Sequence, residues 1–389
     1  MRFTIPVEKD TLKAVRGFLK QLLETKVVDA LLVPMETPSG AITPALVTDV
    51  DLLDAANPLA PVMGINTARA VGHVTVREPR VRIGAVLRPC ELRALVELVK
   101  LKQANLDNLV TIGMDCAGTY DVPDYTEKAL QRKSQSATTR ARNKLWRDLY
   151  DGLMADLSAS EGSAAVALAS ARDLRDACQM CEKPHVEAAD VTIELFGADL
   201  GTGIPVTLPD EMAETLGVSP EEPEENDGTR AAVIDKVVAE RTRVRDARFG
   251  EMRQRLEEEG IEAVLATCVR CHNCMTVCPI CYCKTCLFKS PAFDHEPVQY
   301  VEWARRKGAY QMPGDTMLFH LTRLNHMVLS CVGCGMCTSD CPANLPVGLV
   351  FRTIGQEIQQ AFDYAPGHDV EEPLPLVTFR EDEWAQIGE

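Results

Sequence analysis

The order of apolar and polar positions divides the chain into an α/β part and a helical part. Residues 9–23 place apolar side chains at helical spacing, so an amphipathic helix is expected near the amino terminus. Residues 27–35 (VVDALLVPM) and 41–50 (AITPALVTDV) are short aliphatic runs separated by the turn sequence ETPSG, which predicts two strands joined by a hairpin or short loop. Residues 81–87 (VRIGAVL) read as a buried strand, 91–103 as a helix and 109–114 (LVTIGM) as a second strand. Together they predict one βαβ crossover with parallel strands and a right-handed connection. Residues 126–156 form a polar, helix-forming stretch that is locally basic at Arg132, Lys133, Arg140, Arg142, Lys144 and Arg147. A solvated helix face explains it most simply, and a docking face for an acidic partner or for dinucleotide phosphates is the competing reading.

Further along, residues 188–196 (AADVTIELF) return to strand character and lead into GADLGTG, a loop whose glycines do not match the dinucleotide-binding fingerprint. The acidic, proline-containing run SPEEPEENDG at 219–228 cannot bury apolar surface and is expected to be a linker. From 229 to 260 alternating charges over Val233, Val237, Val244, Phe249, Met252 and Leu256 predict a long, mostly exposed helix. The expected organisation is therefore an α/β domain over 1–218, an acidic linker over 219–228, a helical domain over 229–362 and an acidic tail over 363–389 that either wraps onto a partner or stays mobile.

Charge narrows the function. The chain carries 41 Lys and Arg against 57 Asp and Glu, a formal charge of −16, which argues against a nucleic-acid partner. No apolar stretch approaches the ~18 residues of a membrane helix, and the start MRFTIPVEKD lacks a signal-peptide core, so a cytoplasmic protein without a membrane span is expected. In that compartment thiols stay reduced, and 15 cysteines demand an explanation other than disulfides.

Two stretches supply it. Cys268, Cys271, Cys274 and Cys278-Pro279 repeat the spacing of Cys331, Cys334, Cys337 and Cys341-Pro342. Each is the C-x-x-C-x-x-C-x-x-x-C-P run that binds 4Fe–4S clusters, in which three closely spaced thiolates hold one cube and the fourth ligates the other. The expected sets are Cys268, Cys271 and Cys274 with Cys341, and Cys331, Cys334 and Cys337 with Cys278. Zinc is the competing reading, but its sites use four ligands, typically as separated pairs, and do not call for a third cysteine two residues on plus a proline. The long segment between the runs is too large for a compact bacterial ferredoxin and resembles the α-helical ferredoxins of heterodisulfide-reductase and succinate-dehydrogenase type subunits. His320, Arg323 and His326 lie on one helical face just before the second run, where they either tune the nearby cluster or merely pack and cap the helix.

Four more cysteines lie in the α/β part. Cys90 follows the first strand of the crossover and Cys116 the second, so both thiols are expected at one carboxyl edge of the sheet. Cys178 and Cys181, a C-x-x-C pair, complete four thiolates there, a set suited by spacing to a third 4Fe–4S cluster or to zinc. A downstream electron wire needs a redox-active terminus and favours iron. Cys281, Cys283 and Cys286 remain, and three such close thiolates point to an additional metal site, with His272, His295, a partner subunit or a water as fourth ligand, or to an alternative ligand for the neighbouring cluster.

With these residues in view, the chain resembles the beta-subunit family of coenzyme F420 hydrogenases and dehydrogenases, which includes formate dehydrogenase beta subunits. The likeness rests on VVDALLVP, on the strands ending in Pro89-Cys90 and Asp115-Cys116, and on Cys178-Gln-Met-Cys181 leading into Ala189, Asp190, Val191, Thr192 and Gly197. It spans roughly residues 20–205. The resemblance implies that Cys90, Cys116, Cys178 and Cys181 hold one 4Fe–4S cluster and that the α/β domain binds FAD. It also implies hydride exchange between flavin and a deazaflavin coenzyme, and one-electron transfer through the clusters to another subunit of a formate dehydrogenase, hydrogenase or heterodisulfide-reductase-like complex. Asp190, Gly197, Gly201 and Gly203 are the positional candidates for flavin contact, and no catalytic residue is assigned. Where the family tends to carry a Gly-Ser-Lys-Tyr type segment, this chain reads NPLAPVMGIN over 57–66. The alternatives are a flavin-free electron-transfer and docking subunit and a zinc-stabilised scaffold.

Overall fold

The computed structural model describes residues 1–8, 10–133, 140–159, 169–220 and 227–375. The amino-terminal part is a mixed sheet with helices against it. In chain order its elements are β1 (Arg2–Pro6), α1 (Thr11–Glu24), β2 (Ala30–Glu36), β3 (Ile42–Val47), α2 (Thr67–Thr75), β4 (Ile83–Leu87), α3 (Pro89–Lys100), β5 (Leu109–Met114), α4 (Val122–Lys133), α5 (Arg140–Ala159), α6 (Asp176–Gln179), β6 (Val191–Ile193), β7 (Gly203–Thr207) and α7 (Asp210–Leu216). The seven strands are ordered β1-β7-β6-β5-β4-β2-β3. β2, β4, β5 and β6 run parallel, and the outer pairings β2·β3, β6·β7 and β1·β7 are antiparallel.

The elements follow from their side chains. α1 begins at Asp10, whose carboxylate accepts from the amides of Leu12 and Lys13, and it buries Leu12, Val15, Phe18, Leu19, Leu22 and Leu23 against the sheet. All five residues of β4 are buried, as suits a central parallel strand covered on both faces. The expected hairpin is β2·β3, in register Leu32 opposite Leu46, and the expected crossover is β4-α3-β5 with its strands adjacent and parallel. The strand expected over 188–196 is shorter, Val191–Ile193, because Glu194 onward turns toward β7. β1 and β7 were not anticipated; each has five residues and contains a proline, which weakens the strand pattern.

One buried carboxylate ties the carboxyl edge together. Asp115, between β5 and Cys116, accepts from the backbone amides of Val186, Leu195 and Phe196 at 3.1, 2.9 and 3.2 Å. Its side chain is fully buried and is paired with Arg230. That arginine comes from α8 (Asp227–Val264), a long helix interrupted at Gly260, where the backbone leaves helical geometry. α8 is mostly exposed, as its charge pattern suggests, with the expected Val237, Phe249 and Met252 buried; the buried Arg241 was not anticipated, and the helix packs on α5, α6 and the last of the described helices.

The helical part continues with α9 (Asn273–Thr276), α10 (Pro297–Lys307), α11 (Thr316–Met327), α12 (Met336–Ser339) and α13 (Val347–Ala361). Beyond α13 the tail turns back onto α3. The Tyr364 hydroxyl and the Gly367 amide donate to the buried Glu97 carboxylate at 2.6 and 2.8 Å, and Lys100 reaches Glu372 at 3.1 Å. Arg93, also on α3, donates to the carbonyls of Pro366 and Val332. The first residues of the expected tail are thus docked within the chain; residues 376–389 lie outside the described residues, as do 221–226 of the expected linker and the side chains of Arg132, Lys133, Arg140 and Arg142. Among the described residues no helix is long and apolar enough to cross a membrane.

Two substitutions test these ties. Asp115→Ala leaves Arg230 without its buried partner and is expected to cost about 3–5 kcal/mol in chemical denaturation. Tyr364→Phe removes one donor to a buried carboxylate and should cost about 1–3 kcal/mol, with the loss confined to the junction of tail and α3 in hydrogen exchange. Unchanged midpoints for both would show that neither tie contributes to stability.

Candidate iron–sulfur centres

The carboxyl edge of the sheet gathers the first four cysteines. Cys90 is the second residue of α3, Cys116 follows β5, and Cys178 and Cys181 lie in and just after α6. All four line one small cavity, together with Cys334 from the helical part. The Cys116 amide donates to Pro184 O at 2.8 Å, which seats the C-x-x-C loop on the strand end, and Thr119 Oγ1 lies 3.3 Å from Cys178 Sγ. Two arginines approach from separate elements. Arg175 donates to Thr119 Oγ1 and stands 3.6 Å from Cys178 Sγ, and Arg241 of α8 donates to Ala117 O at 2.6 Å. Burial pushes the Cys116 thiol up to about 11 and Cys90 well above its ordinary value, with neighbouring thiols adding to the rise for Cys90. Cys178 moves the other way: its burial is outweighed by Arg175 and by the bonds from Thr119.

The two C-terminal runs repeat each other in backbone as well as in spacing. Arg270 and His272 in the first run and Gly333 and Gly335 in the second all have positive φ, and each run then enters a one-turn helix, α9 or α12. The difference in residue type reflects what lies against each run. A Cβ on Gly335 would sit 2.2 Å from the Cβ of Ala177 in α6, and one on Gly333 would sit 2.7 Å from Arg352 Nε. The second run is therefore the inner one, pressed onto the C-x-x-C loop, while the first run, with exposed Cys271, faces outward.

Thiols from opposite runs meet. Cys341 lies close enough to Cys268 and Cys274 to disfavour their ionisation, and Cys278 does the same to Cys331, Cys334 and Cys337. Burial, the larger cause, lifts Cys274 to about 11 and Cys334 to about 12. Arg323 of α11 stands between the sets, donating to Cys274 Sγ at 3.1 Å and Cys274 O at 3.0 Å. His320 Nε2 is 3.2 Å from Cys268 Sγ, and burial followed by Arg323 lowers its pKa to about 4. His326, expected on the same face, is exposed.

The remaining three cysteines form a satellite of Cys278. Cys281 is near Cys278, Cys283 and Cys286, and Cys286 Sγ lies 3.6 Å from Met275 Sδ. Cys283 is exposed. His272 tilts against the Phe319 ring, and His295 stands edge-on to Tyr300 and Trp303. The positional flavin candidates are engaged locally. Asp190 accepts from the Thr111 amide and hydroxyl, Gly197 lets the α8 backbone at Arg230 approach, Gly201 closes a turn on Asp199 and Gly203 lies against Thr4 of β1. None of the four lines the cavities beside the cysteine-bearing loops.

Chemically, sulfur-only donor sets such as these fit a four-iron cube. Among the described residues no three His, Cys, Asp or Glu side chains converge tightly enough to hold one metal ion. A four-iron cube binds each thiolate on a different iron and so takes ligands set farther apart. Buried thiols whose neighbours raise them further become thiolates only when a cation compensates the charge. Arg175, Arg241 and Arg352 were not singled out in the sequence, and Asp115 entered only as the residue before Cys116; the Gly-for-Arg and Gly-for-His exchange between the runs marks the inner one.

Comparison with known proteins relates two parts of the chain to described families. Residues 81–215 match the family model for the carboxyl terminus of the coenzyme F420 hydrogenase/dehydrogenase beta subunit, and residues 264–345 match the 4Fe–4S dicluster domain. The chain is 25% identical over 376 residues to an F420-dependent formate dehydrogenase subunit beta of Methanocaldococcus jannaschii, covering 92% of each chain. It is 26% identical over 381 residues to F420-dependent formate dehydrogenase 1 subunit beta of Methanococcus maripaludis, covering 93% of this chain and 92% of the relative. A chain in the xenon-derivatised F420-reducing [NiFe] hydrogenase complex from Methanosarcina barkeri aligns with a TM-score of 0.42 at 13% identity, covering 64% of this chain and 91% of that one. Residues 81–215 thus belong to the coenzyme F420 hydrogenase/dehydrogenase beta-subunit family, and the chain continues from them into a 4Fe–4S dicluster domain.

Proposed function

We propose that this chain is the electron-transfer subunit of a formate dehydrogenase or related hydrogenase complex, carrying three 4Fe–4S clusters in a row. The ligand sets are Cys90, Cys116, Cys178 and Cys181; then Cys331, Cys334, Cys337 and Cys278; then Cys268, Cys271, Cys274 and Cys341. The observation that carries this reading is the cavity shared by the first set and Cys334, because it makes the α/β set and the inner run nearest neighbours. Arg323 similarly adjoins thiols of both C-terminal sets. The exposed Cys271 suits the outer set to exchange electrons with a partner subunit. Cys281 sits beside Cys278 with Cys283 and Cys286 near it, and the three are left without an assigned metal.

We further propose that a flavin occupies the cleft between the β2–β3 turn, the 62–64 segment and α4. The cleft encloses about 370 Å³, within the roughly 300–1,000 Å³ typical of small-molecule sites. Apolar Ile42, Val62 and Ala129 line it, and the Tyr125 hydroxyl, buried without a partner among the described residues, marks an unmet hydrogen bond there. Its neighbour Met63 lines the first cysteine cavity, so the cleft adjoins that set. Bound flavin would supply the exchange between two-electron hydride chemistry and single electrons. The chain's own part is to position it: Arg88 donates to Ala60 O and Val62 O at 2.8 and 3.0 Å and so fixes the 60–62 segment beside Cys116. The names of the relatives make a deazaflavin coenzyme the two-electron carrier to test. The flavin-free alternative draws support from the local engagement of Asp190, Gly197, Gly201 and Gly203.

Anaerobically purified protein should contain about twelve irons, with matching acid-labile sulfide, and one FAD released on denaturation. Iron without flavin would favour the alternative, and zinc without sulfide would end the cluster reading. Crossed ligation has its own test. Cys341→Ala should abolish the spectroscopic signal of the Cys268 set and spare that of the Cys331 set, whereas Cys278→Ala should do the reverse; a pattern that follows each cysteine's own run would contradict the assignment.

A further inference from the structure

We propose that Arg175 is a positioning residue that couples the first cysteine set electrostatically to the inner run and raises the reduction potential of both. The proposal rests on the cluster reading above and adds to it a specific charge at one specific junction.

Arg175 is 3% exposed and immediately precedes α6. Its amide donates to Thr119 O and its Nε to Thr119 Oγ1 at 2.8 Å, so the side chain is held from two points on the loop after Cys116. One terminal nitrogen stands 3.6 Å from Cys178 Sγ, and the other 3.4 Å from Met336 Sδ in α12. The same guanidinium lines the cavity that contains Cys90, Cys116, Cys178, Cys181 and Cys334. It therefore touches both sides of the junction. Two residues on, Ala177 meets Gly335 so closely that no side chain fits at Gly335. The two cysteine-bearing loops are locked against each other where the arginine lies.

Arg175 shares with the buried Arg241 and Arg323 the lack of a carboxylate partner among the described residues, and of the three it is the one that reaches both Cys178 and Met336. Arg230 faces Asp115, Arg352 faces Glu182 and Arg270 faces Asp315. Among the described residues no carboxylate comes within ion-pair distance of Arg175. A buried guanidinium without an anion is costly, and the groups that surround this one are sulfurs. Thiolate-ligated clusters on either side would provide the missing negative charge. A fixed positive charge favours the more negative, reduced state of each neighbouring centre, so its presence shifts both potentials upward together. The outer set has its own buried cation in Arg323, whereas the thiols that Arg175 faces, Cys178, Cys90 and Cys334, belong to the first set and the inner run.

The test uses the full-length protein with its clusters, purified anaerobically, and redox titration followed by electron paramagnetic resonance. Signals are assigned with Cys116→Ala, which removes the first set, and Cys341→Ala, which removes the outer one. Arg175→Met should move the potentials of the first and inner sets to more negative values and leave the outer set in place, while Arg175→Lys should stay close to the parent protein. If Arg175→Met fails to assemble clusters, assembly with parental potentials in Arg175→Lys still supports the proposal, because only the charge is shared between arginine and lysine. Intact clusters with unmoved potentials in Arg175→Met overturn it, as do equal shifts in all three sets or failure of both variants to assemble. Absence of iron and sulfide from the parent protein would instead overturn the cluster reading itself.

Discussion

Burying many thiols side by side is the constraint on which this architecture turns. A thiolate in a low-dielectric interior is disfavoured, and a second one nearby makes matters worse. Here burial and mutual proximity act together on Cys90, Cys334 and Cys337, raising each. Such an arrangement persists as a set of thiolates only with strong positive charge at its centre. The three thiol sets thus share one requirement, and the buried arginines beside them meet part of it from the protein side.

The fold answers the constraint by bringing loops from distant parts of the chain to one line. A parallel sheet delivers Cys90 and Cys116 to the same edge because consecutive parallel strands end together. Asp115 gathers three backbone amides around that edge and anchors α8 through Arg230. α8 then runs from the sheet to the dicluster region and contributes Arg241 behind Cys116 and Arg248 against the C-x-x-C helix. Arg352 of α13 reaches back to Met180 O and to Glu182, whose carboxyl, despite burial, Arg352 and Arg93 bring down to about 2. The two parts are therefore joined through the cysteine loops themselves, and the folded tail on α3 closes the same junction from outside.

Much of this was legible from residue order, and the limits are instructive. The β2·β3 hairpin and the β4-α3-β5 crossover follow from aliphatic runs and turn residues, since local pattern and burial agree there. The meeting of Cys341 with Cys268 and of Cys278 with Cys331 follows from the spacing of the runs. The strands β1 and β7 escaped because five residues with a proline carry little pattern and owe their place to each other across the chain. Arg175 and Arg352 escaped for a different reason: an arginine that ends beside a sulfur looks, in sequence, like any charged residue next to a polar loop. The glycines of the inner run carried the information that one run is covered and the other exposed, but only beside the atoms of Ala177 and Arg352 does that become readable.

The most direct test of three linked cubes is anomalous scattering at the iron absorption edge from crystals of the anaerobic protein. Three strong iron peaks in a row are expected, one amid Cys90, Cys116, Cys178 and Cys181, the next beside Cys334 and Cys278, and the last beside Cys271 and Cys341. Iron confined to the dicluster region, or a peak at the sheet edge that appears only at the zinc edge, would contradict three linked cubes.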